Sequence, residues 1–353
     1  MKKTFALILG AVLCLMAPTA AGTDPLISRS YLEGEFIQSL DAALNARLDA
    51  SDQTIRSGVE QREPGLPDAV TGGGELMLKE GDILTCRTGM TVTPLGGEVS
   101  LSRGTLVDVT EGAEISGSQI LRPDHRYITA ESADFTVSSP AAVLLCEGGG
   151  TLDLSQTPDY FAISRALKSL NLFRGSGSGF GEGFDLHLAP TRGEGLVMFL
   201  RILGEEEAAL AFTGSHPFTD VPSWLDRYVA WAYAKGYANG VSAGRFGGSQ
   251  SISAVEYVEF LLRALGYSVA GVNDYTSSLE RALTGGILTK GEYTALKSGQ
   301  FLRAHVAYVS YYALDVPVSG ENRTLAQRLT AAGVMTAEQL STAREQAGTL
   351  RIE

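Results

Sequence analysis

The chain has 353 residues, 44% of them hydrophobic and 19% charged, the balance of a globular protein with room for two or three domains. Its formal charge of -12 argues against a nucleic-acid partner and against electrostatic docking on anionic lipid. Composition does not choose among the functions that remain.

Met1-Lys2-Lys3, the apolar run Phe5 to Met16 and the small-residue stretch Ala17 to Gly22 have the three parts of a secretory signal peptide. The run is too short to span a bilayer comfortably, and Leu13 stands where a lipoprotein signal needs a small residue before Cys14. Residues 1–22 are therefore expected to be removed, leaving an exported chain with no later segment apolar enough for a membrane helix. Residues 23–62 then read as an N-terminal helical segment, with Phe36, Leu40, Ala43, Leu44 and Leu48 at helical spacing. Its apolar stripe can dock on the chain's own domains or pair with a second copy. Pro64, Pro67 and Gly72-Gly73-Gly74 mark residues 63–74 as a linker.

From 75 to 154 the texture becomes short runs of alternating polarity, such as Met90-Thr-Val-Thr, Thr105-Leu-Val-Asp-Val and Arg126-Tyr-Ile-Thr-Ala. Glycines at 81, 89, 96, 97, 104, 112 and 117 separate them, which predicts an all-β sandwich or small barrel. Asp124-His125-Arg126 reads as a turn entering a strand. Cys86 and Cys146 fall near the two ends of this block. In an exported chain they are candidates for a disulfide that would pin edge strands; the alternative is two small buried hydrophobes.

After Gly148-Gly149-Gly150 the pattern turns helical. The clearest stretch runs from Phe218 to Tyr267: Phe218-Thr-Asp220-Val221, Trp224, an aromatic helix through Tyr228, Trp231 and Tyr233, then Gly236, Asn239-Gly240 and Phe246. Ser253 and Glu256 make a capping box ahead of Tyr257, Phe260, Leu261, Ala264 and Leu265, a buried stripe at helical spacing. Ser223 with Asp226 is a candidate cap for the first of these helices. An internal comparison extends the pattern. Phe184 precedes Thr191 by the seven positions that separate Phe246 from Ser253, and the helices after Thr191 and Ser253 align without a gap. A fainter third copy has Leu296 for the loop phenylalanine, one position out of step, and Phe301-Leu302-Arg303-Ala304-His305 at the helix start. The copies fall at about 155–212, 213–269 and 270–316, followed by a C-terminal helical extension over 317–353. The fold class expected is a multidomain α+β chain: N-terminal helix, all-β module, and an α-helical bundle of three repeats.

This order of residues resembles the S-layer homology (SLH) repeat of bacterial surface proteins, whose pattern is F-x-D-V, an aromatic helix, a glycine loop, a Phe, then I-T-R-A-E and a second helix. The resemblance implies a three-repeat bundle with grooves between repeats. It also implies a non-enzymatic protein held on Gram-positive cell walls by secondary cell-wall polysaccharide, often carrying a pyruvylated sugar. A guanidinium at a helix N-terminus suits such a carboxylate. Carried over residue by residue, the implied glycan-binding set is Arg192, Arg303, Asp220, Trp224, Thr191 and Glu194. The repeats are degenerate: Ala254 replaces the arginine of the second, and Leu302 and His305 replace the Thr and Glu of the third. A bundle that has lost its glycan is therefore the alternative. Thr191, Glu194, Ser253 and Glu256 are explained by capping alone, and the aromatic residues by packing. An exported cell-wall enzyme is the third class. Against it stand only 4 His and no H-E-x-x-H or G-x-S-x-G motif, and the resemblance calls for no metal or cofactor.

Overall fold

The structure is a computed structural model that describes residues 70–177, 179–268, 277–348 and 350–353. The chain divides into two units, 1–66 and Pro67–Glu353, and the described residues belong to the second. The signal peptide and N-terminal helix expected over 1–62 lie outside the described residues.

Ten strands are described in this unit: β1 (Val70–Lys79), β2 (Ile83–Cys86), β3 (Thr91–Gly96), β4 (Val99–Arg103), β5 (Thr105–Asp108), β6 (Ala113–Ser116), β7 (Gln119–Ile120), β8 (Tyr127–Thr129), β9 (Ala133–Val137) and β10 (Ala141–Asp153). All pair antiparallel, in the order β6-β5-β8-β3-β10-β2-β9-β4-β7, with β1 also on β10. Strict alternation along β3 and β9 buries every second residue. Leu84, Val92, Leu101, Phe135 and Leu144 form the interior. Asp124, at φ 62, makes the turn that leads into β8.

Two expectations fail here. Gly72–Gly74 are not linker but part of β1, where Gly72 lies opposite Gly148 and Gly74 opposite Cys146. Gly148–Gly150 likewise sit inside β10 rather than at its end. A ladder needs only backbone groups, and at Gly150 a Cβ would come within 2.6 Å of the Thr85 carbonyl oxygen. Gly150 thus marks a close backbone approach, whereas Gly72 and Gly74 have open space around them and are simply ladder residues. Cys86 and Cys146 are free thiols, each fully buried. Neither is on an edge strand, since β2 and β10 are both flanked on two sides. Burial pushes the Cys146 thiol up to about 12 and the Cys86 thiol further still. They behave as small hydrophobes.

The helical part is α1 (Tyr160–Ser169), α2 (Arg192–Ile202), α3 (Glu206–Ala211), α4 (Asp226–Ala234), α5 (Ala254–Ala264), α6 (Ser278–Thr284), α7 (Lys290–Ser298), α8 (Arg303–Ala313), α9 (Leu325–Ala331) and α10 (Ala337–Ala347). Capping boxes start α2 at Thr191/Glu194 and α5 at Ser253/Glu256, as the pattern predicts. The Ser223 cap does not form: α4 begins at Asp226 after Leu225, with no side-chain cap. Gly236 and Gly266 take positive φ just past the ends of α4 and α5. The β-module packs on this part through β10, whose Ala141 and Val143 join the helical core while Ala142 and Leu144 face the β interior. Glu75 also accepts the Gly181 N–H at 2.8 Å.

The eleven-residue helices α2, α5 and α8 pack against one another. The Phe199 and Phe260 rings lie 5.5 Å apart, and Tyr257 and Ser310 share a hydroxyl bond of 2.7 Å. The N-termini of α2 and α8 are tied in a common register. Arg192 and Gly193 N–H groups donate to the carbonyls of Gln250 and Gly248, at 2.7 and 2.9 Å. Arg303 and Ala304 N–H groups donate to Leu188 and Leu186, at 2.8 and 3.0 Å. In each case the acceptors lie three and five residues before the next helix's capping residue, Ser253 or Thr191. Phe184 and Phe246 are fully buried in matching places. Leu296 is not their counterpart in a loop: it lies within α7, which has its own Thr289/Glu292 capping box. A helix stands where a loop was expected.

Candidate functional site

A cleft of about 540 Å³ opens where α2 meets the start of the Phe218–Tyr267 stretch. Five of the six residues expected to bind glycan line it: Thr191, Glu194, Asp220, Trp224 and Arg303. Trp224 is 56% exposed, an apolar face offered to the cleft. Arg303 reaches in from α8, its Nε donating to the Phe184 carbonyl at 2.9 Å. Burial pulls its guanidinium below the usual range, opposed by the charges of Glu194 and Asp185.

Glu194 and Asp220 are held by the backbone. Glu194 accepts the Thr191 N–H at 2.7 Å, closing the capping box. Asp220 accepts the Phe246 and Gly247 N–H groups at 2.7 and 2.9 Å. Burial acts to raise the Asp220 pKa, but these two donors hold it below the usual carboxylate range. The F-x-D-V aspartate therefore ties its own loop as well as facing the cleft.

Arg192 is the exception. It is 1% exposed, does not line the cleft, and donates to Glu256 at 2.7 Å while stacking over Phe246 and Phe260 at 5.3 and 5.0 Å. The aromatic floor and the Glu256 carboxylate draw it inward, so it braces α2 against α5 instead of meeting a ligand. Sequence patterning missed two other arginines of the cleft, Arg174 and Arg201. Arg201 sits in the last turn of α2, the place where a cation at a helix C-terminus needs no ligand to explain it.

A second cleft, about 450 Å³, lies where Ser253 and Ala254 face Leu296, Lys297 and Phe301. The Arg192–Glu256 bond links α2 to α5, and the charge of Glu194 bears on Arg303 of α8. The third combination, Ala254 with His305, has neither member charged by default. His305 Nδ1 instead accepts the Leu302 N–H at 3.0 Å, keeping half of the capping box. Burial lowers the His305 pKa to about 4. Protonation is thus favoured in the unfolded chain, so stability is full above pH about 6.5 and falls as pH drops towards 4. The loss expected from this residue is about 2 kcal/mol, discounted for partial exposure. His187, also lowered by burial, acts in the same direction. Urea denaturation across this range should show the slope, and His305→Gln should flatten it.

Comparison with known proteins bears directly on this region. Residues 217–253 match the S-layer homology domain. The chain thus carries an S-layer homology segment, and that segment contributes Asp220, Trp224, Gly248 and Ser249 to the first cleft. The chain is also similar to a cell surface protein of Thermoanaerobacter kivui, with 30% identity over 118 residues. Those residues are 33% of this chain and 15% of that protein, so the resemblance covers a small part of the relative.

Proposed function

We propose that the chain is a non-enzymatic, exported surface protein held on the cell wall by polysaccharide bound in the first cleft. In this account the helical part is three SLH-like repeats closed in a ring, with α2, α5 and α8 as their second helices. The matching register of the α2 and α8 N-termini supports the ring, and the SLH match supports the surface location. The observation that carries the glycan site is the convergence of Trp224, Arg174, Arg303 and Thr191 from separate elements on one open cleft. An aromatic face covers the apolar side of a sugar, and a guanidinium receives a carboxylate such as a pyruvate ketal.

Co-sedimentation with cell walls tests this. The full chain should pellet with intact walls and stay in solution with walls stripped of secondary polysaccharide by hydrofluoric acid. Trp224→Ala, at an exposed position, should weaken pelleting by about tenfold, the loss expected of one stacking contact worth ~1.4 kcal/mol. Burial of Arg192 and the presence of Ala254 favour a second reading, a structural envelope component without a glycan. It predicts equal pelleting with both wall preparations and no effect of Trp224→Ala combined with Arg303→Ala.

A further inference from the structure

The cleft's charges do not add up to a general anion trap. Its wall has three arginines, Arg174, Arg201 and Arg303, against the carboxylates Glu194 and Asp220. A further carboxylate, Glu206 at the start of α3, stands against two of those arginines. Glu206 Oε1 accepts from Arg201 Nε at 2.9 Å and Nη2 at 2.8 Å, and from the Tyr228 hydroxyl at 3.1 Å. Its Oε2 lies 3.5 Å from Arg174 Nη1. Burial acts to raise the Glu206 pKa, but Arg201, Arg174 and Tyr228 together keep it below the usual range, so it remains charged. Arg303 is 6% exposed with its Nε committed to a carbonyl. Arg174 differs: its side chain is 60% exposed and meets Glu206 only at 3.5 Å.

We propose that Glu206 sets the ligand charge this cleft accepts, leaving Arg174 to receive a single carboxylate and excluding doubly charged groups. This rests on the cleft being the glycan site but goes beyond it: the selecting residues lie outside the SLH pattern. Three arginines balanced by three carboxylates give little long-range attraction, so recognition comes from the short-range guanidinium fork. Removing the Glu206 charge leaves the positive charges of Arg201 and Arg174 uncompensated side by side, an arrangement that suits a dianion.

The test uses the full chain, with pyruvate as the monoanion and sulfate as the dianion, at constant ionic strength. Binding is read from the Trp224 indole NMR signal. The wild type should prefer pyruvate. Glu206→Gln should gain about tenfold for sulfate and reverse the preference. Arg174→Gln, at an exposed position and so safe for folding, should lose pyruvate binding. The proposal is overturned if Glu206→Gln leaves the affinity ratio within about twofold of wild type, if Arg174→Gln retains pyruvate, or if neither anion binds. Should the anions behave as expected while released wall polysaccharide fails to bind, the glycan assignment falls and the charge selection stands.

Discussion

Arg192→Ala is expected to destabilise the fold by about 3 kcal/mol and to leave wall binding unchanged, the opposite of what its motif position suggests. The side chain is 1% exposed and bridges two helices through Glu256 and the faces of Phe246 and Phe260. Alanine removes the cation, the contacts of its aliphatic stem and the partner of Glu256 at once. The Glu256 side chain is 24% exposed, so water recovers part of its solvation, which keeps the loss below that of a fully buried broken pair. At roughly 2–4 °C per kcal/mol, Tm should fall by about 6–12 °C. Arg192→Met restores volume without charge and should recover a good part of this loss. Thermal melts of the three proteins, set beside wall co-sedimentation at a temperature where all are folded, check both halves of the prediction.

Phe246→Ala should cost more, about 3–5 kcal/mol. Phe246 is fully buried, packs on Phe218 with ring centroids 5.8 Å apart, and forms part of the floor under Arg192. Its own N–H is one of the two donors that hold Asp220. The cavity therefore opens beside the loop that shapes one wall of the cleft, and both stability and glycan affinity should fall. Phe184→Ala, at the matching place beside α2, should lose stability in the same range. The Phe184 ring sits 5.9 Å from Phe173, and the carbonyl that orients Arg303 is its own. Denaturant midpoints at constant m-value would separate lost packing from a changed unfolded state.

What was legible in the sequence was local. The Thr191/Glu194 and Ser253/Glu256 boxes, the buried stripe of α5 and the alternation of β3 and β9 are written within a few residues of each other. Thr289/Glu292 was equally visible as a capping box; placing Leu296 in a loop obscured the helix it starts. Other features depend on partners far away in the chain. Gly72–Gly74 look like a linker until Gly148, Glu147 and Cys146 of β10 are found opposite them. Arg192 looks like a ligand-binding arginine until Glu256, 64 residues on, is seen to hold it. Arg174 belongs to no motif and Arg201 lies at the far end of α2, and only the fold brings them to the cleft beside Trp224. The cysteines illustrate the same limit: their positions near the ends of the β-module suggested a bond, whereas the sheet order puts both on interior strands.

The account turns on where the wall glycan sits, and an NMR titration of the isotope-labelled full chain with polysaccharide released from the wall measures that directly. The expected result is saturable shifts concentrated on the Trp224 indole and the amides of Thr191, Gly248 and Ser249, with the β-module unmoved. Shifts confined to the β-module, or none at saturating polysaccharide, would contradict it.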